Sequence, residues 1–207
     1  MNREKNVAKA LLKTGAVKLN VAEPFTFVSG IKSPIYCDNR QMIAYPEERA
    51  EFVREFVEKL STKDYDVLAG TATAGIPWAA FIAWEVKKPM SYIRAEKKDH
   101  GVGKQIEGAN LKDKKVIIIE DLVSTGGSSI KAVEAAYEAG AKTVEVIAIF
   151  SYEFSKAYKN FGDKQIKWEA ISNFSTLIET AKEEKYLTEA EAKIASEWNK
   201  SPDTWGR

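Results

Sequence analysis

The chain has 207 residues, of which 44% are hydrophobic and 29% charged, proportions that suit one compact α/β domain. Its formal charge of +1 offers no broad basic field for nucleic acid, and its single cysteine, Cys37, excludes an intrachain disulfide framework and fits a reducing cytoplasm. No apolar run approaches the roughly 20 residues that span a bilayer, and the charged start Met-Asn-Arg-Glu-Lys-Asn has no signal-peptide pattern, so a cytoplasmic protein without a membrane partner is expected.

Val7, Ala10, Leu11 and Leu12 set a helical stripe that stops at Gly15, a residue suited to a C-cap. Residues 25–36, Phe-Thr-Phe-Val-Ser-Gly-Ile-Lys-Ser-Pro-Ile-Tyr, read as two short extended pieces broken by Ser29-Gly30 and Ser33-Pro34, a hairpin-like hood rather than a core strand. Pro46 opens a helix whose apolar stripe is Ala50, Val53, Phe56, Val57 and Leu60. Strand and helix then alternate. Tyr65 to Ala69 is a short strand, Gly70-Thr71-Ala72-Thr73-Ala74-Gly75 a loop, and Ile76 to Val86 a helix whose Ala, Trp and Phe content predicts burial.

Pro89 to Ile93 is a further strand. Residues 94–110 have almost no large apolar side chains but carry Arg94, Lys97, Lys98, Asp99, His100 and three glycines, which predicts a long exposed loop, of the kind that is either functional or disordered. The four β-branched residues Val116-Ile117-Ile118-Ile119 read as a buried strand that ends at Glu120-Asp121. A small polar loop through Ser129 then enters a helix at 130–137. Such a loop can aim backbone N–H groups at a phosphate, whereas paired carboxylates repel an anion and suit hydroxyls or a metal ion.

A strand over Thr143 to Phe150, a helix near Phe154 to Asn160 and a strand around Ile166 to Ile171 follow. Thr188-Glu189-Ala190-Glu191 fits a capping box ahead of a last helix carrying Ile194 and Trp198. Trp78, Trp84, Trp168 and Trp198 are expected to serve packing rather than ligand stacking. Repeated β-α-β units predict a mostly parallel sheet with helices on both faces. Ligands in such folds bind beyond the carboxyl ends of strands, at the switch in strand order, and loops 70–76, 94–110 and 120–129 all follow strands.

Residues 118–128, Ile-Ile-Glu-Asp-Leu-Val-Ser-Thr-Gly-Gly-Ser, resemble the phosphoribosyl-pyrophosphate (PRPP) signature of type I phosphoribosyltransferases. Three further stretches resemble one branch, the orotate phosphoribosyltransferases: 25–36 is similar to their base-binding hood, 70–77 to their pyrophosphate loop and 94–103 to their mobile catalytic loop. The motifs occur in the family's order, and the resemblance runs over roughly residues 5 to 200.

The resemblance implies a type I phosphoribosyltransferase fold, a central mostly parallel sheet flanked by helices under an N-terminal hood. It implies one domain over residues 1–207, with the hood in about 1–45 plus a C-terminal segment and the core in about 46–170. It also implies Mg²⁺-dependent transfer of ribose 5-phosphate from PRPP to orotate, giving orotidine 5′-monophosphate and pyrophosphate for pyrimidine (UMP) synthesis. A homodimer with sites shared between subunits is implied, because the mobile loop reaches the partner's site in this family.

Residue roles follow from the same likeness. Breaking the anomeric C–O bond leaves positive charge on the ribose ring and negative charge on the departing pyrophosphate, so cations must surround the leaving group. Arg94, Lys98 and His100 would supply them, and a closing lid would exclude water. Glu120 and Asp121 would hold ribose hydroxyls, with Asp121 near the ring charge. Ser124, Thr125, Gly126, Gly127 and Ser128 would cradle the 5′-phosphate, with Ser124 also touching orotate, and Leu122 and Val123 before them would complete the substrate-binding stretch. Thr71 and Ala72 would face pyrophosphate, and Phe25 and Thr26 the edges of orotate. Mg²⁺ would ride on pyrophosphate and ribose oxygens with waters rather than in a protein cage.

The chain also departs from the pattern. Val28 stands where some relatives carry a lysine, and Ala95 where a second basic residue follows the loop arginine, with Lys97 nearby as a substitute. Ser151-Tyr152-Glu153 stands where some relatives place an orotate-binding arginine. The cation that pairs with the orotate carboxylate therefore stays open. Two other readings compete: a phosphoribosyltransferase for a purine or uracil, and a PRPP-sensing regulator. The second would need a nucleic-acid surface, which the near-neutral charge does not offer.

Overall fold

Helix α1 (Arg3–Lys13) opens the structure, a computed structural model that describes residues 3–27, 30–96 and 105–205. The helix buries Val7, Ala8, Leu11 and Leu12, and Gly15 ends the segment with a φ of 72° that favours glycine. Strand β1 (Val17–Leu19) pairs antiparallel with β4 (Ile35–Cys37), and between them β2 (Phe25–Thr26) pairs with β3 (Lys32–Ser33). The hood is thus two small ribbons rather than one broken hairpin. Pro34, which has no N–H to donate, separates β3 from β4.

A 3-10 turn at Asn39–Ala44 leads into α2 (Pro46–Leu60). Its core face is Phe52, Phe56 and Leu60, at four-residue spacing. Ala50 is exposed and Val53 and Val57 are half-buried, so the expected stripe is turned. The two phenylalanines decide the rotation, because they hide the most apolar area per residue.

The central sheet is built from β5 (Val67–Thr71), β6 (Met90–Ile93), β7 (Ile106–Gly108), β8 (Lys115–Val123), β9 (Thr143–Ser151) and β10 (Lys167–Asn173). Their order is β10-β9-β8-β5-β6-β7, and every pairing is parallel except that of β7 with β6. Helix α3 (Gly75–Val86) carries the chain from β5 toward β6 on one side. Helices α4 (Gly127–Glu138) and α5 (Ser155–Asp163) carry it from β8 through β9 to β10 on the other. The order therefore switches between β5 and β8. Along β8, Val116 and Ile118 join one core cluster with α4 and α5, while Ile117 and Ile119 join the other with α1, α2 and α3. A strand buried on both faces needs the unbroken β-branched run that the sequence has.

Four features differ from the sequence reading. The loop expected over 94–110 is interrupted by the edge strand β7. Strand β8 does not stop at the acidic pair but runs to Val123, with Glu120 opposite Ala148 and Leu122 opposite Phe150, because the long β9 keeps supplying ladder partners. An unexpected helix α6 (Phe174–Glu183) starts directly at the end of β10, capped by Asn173 accepting from the Thr176 N–H. Trp84 is 76% exposed with Lys87 Nζ 4.3 Å above its ring, so it does not pack within this chain as expected.

The last helix, α7 (Glu189–Lys200), has the expected Thr188/Glu191 capping box. Trp198 is buried among Tyr152, Phe154 and Phe174, whereas Ile194 faces outward. Among the described residues, no helix is long and apolar enough to cross a membrane.

Candidate active site

Glu120 and Asp121 occupy successive positions of β8, so their side chains leave opposite faces of the strand. Glu120 is only 4% exposed and its carboxylate is held by four donors. Thr71 Oγ1 and the Asp121 N–H reach Oε1 at 2.6 and 3.1 Å, and the Ser129 and Ser128 hydroxyls reach Oε2 at 2.9 and 3.2 Å. One buried charge thereby joins the end of β5, the end of β8 and the start of α4, and its hydrogen bonds offset the cost of desolvation. Ser128 is exposed and is the donor that a ligand hydroxyl can replace.

Asp121 lies half-buried, and its backbone carbonyl accepts from Asn39 Nδ2 at 2.6 Å. Its carboxyl is pushed up to about 7, first by burial and then by the Glu120 charge and hydrogen bond beside it. A carboxyl in that state gains from any cation, or any hydroxyl donor, placed against it.

The 70–76 loop lies directly on β8. A Cβ at Gly75 would stand 2.4 Å from the Ile119 carbonyl oxygen, and one at Gly70 would stand 2.8 Å from the Gly75 oxygen. Neither position admits a side chain. Thr71 is buried, Ala72 is half-buried with its N–H donating to the Ile93 oxygen at 2.8 Å, and the Ala72–Thr73 peptide is cis. Helix α3 begins at Gly75, at the β5–β8 switch, with no side-chain cap, and the Ile76 N–H turns back to the Thr73 oxygen at 3.3 Å.

The signature loop shows the same construction. Gly126 has a φ of 80°, and a Cβ there would meet the Phe161 ring at 2.6 Å. Asn160 Nδ2 donates to the Thr125 carbonyl at 2.9 Å, which anchors the loop to α5. Helix α4 then starts at Gly127 without a side-chain cap, so the first-turn amides over Gly127–Ser129 face outward beside the carboxylates. Ser124 and Thr125 are half-buried, and Leu122 and Val123 belong to the strand that carries the loop.

Beside the loop is a cavity of about 560 Å³ whose walls include Phe27 and Ile31 of the hood, Tyr152, Phe154, and Ser124 and Thr125. The hood is fixed above it: Trp198 Nε1 donates to the Lys32 carbonyl at 2.9 Å, and Lys32 Nζ donates to Thr26 Oγ1 at 2.8 Å. Phe25 is half-buried, 5.8 Å from the Tyr36 ring, and Thr26 is exposed. A larger cavity of about 670 Å³ lies among Arg3, Glu55, Lys59, Lys63 and Glu169, where lysines and carboxylates already pair, remote from the strand carboxyl ends.

Of the three expected leaving-group cations, Arg94 is half-buried just beyond β6. Its N–H donates to the Gln105 oxygen at 2.9 Å and its own oxygen accepts from Gln105 Nε2 at 3.0 Å. Lys98 and His100, with Lys97 and Val28, lie outside the described residues. Asn39, Asn160 and Ser129 carry roles in the geometry that the sequence reading did not assign. Ser129 could have been found as the next hydroxyl of the signature, but the two asparagines give no local signal. Among the described residues, no three His, Cys, Asp or Glu side chains cluster to hold a metal.

A family model for the phosphoribosyl transferase domain matches residues 46–181. The orotate phosphoribosyltransferase of Enterococcus faecalis is 49% identical over 205 residues, 98% of each chain, and that of Coxiella burnetii is 47% identical over 207 residues, 99% of each. Among solved structures, the orotate phosphoribosyltransferase from Aeropyrum pernix superimposes with a TM-score of 0.72 at 28% identity, over 84% of this chain and 96% of that one. Leishmania donovani UMP synthase gives a TM-score of 0.77 at 28% identity, over 94% of this chain and 42% of that longer one.

Proposed function

The chain belongs to the orotate phosphoribosyltransferase family, and from that premise we propose that it transfers the ribose 5-phosphate group of PRPP to orotate, releasing pyrophosphate, in the cytoplasmic synthesis of UMP. The observation that carries the reading is the convergence of two capless helix starts and Asp121 at the β5–β8 switch, beside a cavity with aromatic walls. Phosphates at both ends of one ligand require two amide-lined loops, and a ribose between them requires hydroxyl acceptors. A flat base requires apolar walls within reach.

The roles divide accordingly. The amides of 126–129 hold the 5′-phosphate, and those of 73–75 the pyrophosphate. Asp121, with the Ser128 edge of Glu120, receives the ribose hydroxyls and lies near the charge that develops on the ring. Arg94, Lys98 and His100 draw off the negative charge of the departing pyrophosphate. Ser124, Phe25 and Thr26 contact the base. The residues fit Mg²⁺: Asp121 is the carboxylate in reach and would help hold the ion alongside substrate oxygens and waters. When bound, it neutralises charge on the diphosphate. The working form is a homodimer in which each 94–103 loop serves the partner's site.

A spectroscopic assay with PRPP and Mg²⁺ tests the reading. Orotate absorbance should fall, and adenine, hypoxanthine and uracil should be inert. Consumption of a purine in place of orotate would overturn it.

A further inference from the structure

We propose that Lys156 is the cation that pairs with the carboxylate of orotate, and is thereby the residue that separates orotate from uracil. The inference rests on the orotate reading above. Orotate is uracil with one added carboxylate, which is ionised at neutral pH. A site that accepts it must offer a cation or strong donors there, because an unpaired carboxylate against aromatic walls is expensive to desolvate. The stretch after β9, Ser151-Tyr152-Glu153, contains no cation, and Tyr152 is buried in the aromatic cluster under α7.

Among the described residues, two cations line the cavity, Lys156 and Lys200. Lys156 precedes Asn160 by four residues on α5, so the two side chains share a helix face. Asn160 touches the Thr125 carbonyl at 2.9 Å, which sets that face toward the signature loop. Helical side chains lean toward the helix N-terminus, so Lys156 reaches to the cavity side of the contact rather than away from it. Its nearest acidic neighbour in the chain, Glu153, is engaged by the Ser175 N–H at 2.8 Å, and Lys156 has no ion pair among the described residues. Lys200 is less suited. It ends α7, where the helix dipole already favours a cation, and Asp203 lines the same cavity. A long, exposed lysine beside an aromatic wall can extend its ammonium to the ligand while its stem covers apolar surface.

Steady-state kinetics on the full-length enzyme, with orotate and PRPP varied separately, test the assignment. Lys156→Ala should raise KM for orotate about ten- to a hundredfold, the loss expected for one charge-assisted hydrogen bond, with kcat and KM for PRPP little changed. The preference for orotate over uracil should fall by a similar factor. Lys156→Arg should recover most of the loss, and Lys200→Ala should leave KM for orotate near wild type. Melting curves for each variant identify any loss of folding, and binding of orotidine 5′-monophosphate by calorimetry supplies a second reading independent of turnover. An unchanged KM for orotate in Lys156→Ala, a rise in KM for PRPP instead, or the whole effect in Lys200→Ala would each overturn it. Wild-type enzyme that converts orotate while Lys156→Ala behaves identically defeats this inference alone; wild-type enzyme inert toward orotate defeats the activity itself and this inference with it.

Discussion

Glu120 and Asp121 are adjacent in the chain and opposite in circumstance. Glu120 is satisfied by four protein donors and binds three elements together, whereas Asp121 is held by its backbone and left with a carboxyl near pKa 7. Folding therefore makes Asp121 retain a proton that the unfolded chain, with its ordinary value of 3.8, has already lost at mildly acidic pH. The folded state binds more protons in that window, so this residue's contribution to stability falls as pH rises from about 4 to about 7 and is level above it. Asp121→Asn should remove that slope and raise the melting temperature of the ligand-free protein at pH 8 by a few degrees. It should also weaken PRPP use far more than orotate binding. Fluorimetric melts across pH 5 to 8, paired with separate KM values, check both; a variant that melts lower than wild type at pH 8 would contradict the account. The expected origin of the unfavourable charge is a site built to receive a ligand rather than to be stable alone.

The loop that follows β5 has no freedom to change its seat. Gly75→Ala would force a methyl to within 2.4 Å of the Ile119 carbonyl and 2.5 Å of Thr71 Oγ1, so the start of α3 must lift off β8 at the point where Thr71 meets Glu120. Overpacking of this kind costs about 1–3 kcal/mol, and a melting temperature lowered by several degrees together with a higher KM for PRPP is the expected result. An unaltered KM would detach this contact from substrate binding. The same contrast between local and distant contacts explains what the sequence made legible. Gly-rich loops, the β-branched run of β8 and the Thr188 capping box announce themselves within a few residues, and all three are present. The extension of β8 to Val123 depends on β9, and α6 follows β10 with neither Gly nor Pro to mark the change. Asn39 and Asn160 find their partners 82 and 35 residues away, and Lys156 takes its meaning from a cavity whose walls come from four parts of the chain. No short pattern encodes such contacts. The rotation of α2 toward Phe52 has a simpler cause: phenylalanine hides more apolar area than the alanine and valine that share the apolar pattern.

At the scale of the whole molecule, the proposed dimer makes each site a joint product of two subunits. Lys98→Ala alone should depress kcat by orders of magnitude while PRPP still binds, since its help is concentrated on the leaving group. Mixing Lys98→Ala with Gly126→Ala subunits should restore a measurable fraction of activity, because one of the two sites in a heterodimer then has both an intact loop and an intact cradle. Inactive mixtures in which heterodimers are verified by mass would refute shared sites. The single chain has its own division of labour. The proposed cradle for the ribose and phosphates is drawn from residues 71–129, but the cavity proposed for the base is closed by Phe27 and Ile31 on one side and by Trp198 on the other. The hydrogen bond between Trp198 and Lys32 joins residues 166 apart, and Ser172 reaches back 168 residues to the Glu4 carbonyl. The entropy lost in closing loops of that length grows only slowly with length and is offset by contacts made against the intervening sheet. A chain shortened to end at β10 would keep Asp121 and the two uncapped helix starts but lack the Trp198 bond that seats the hood, so under the proposed reading it should lose its choice of base before its hold on phosphate.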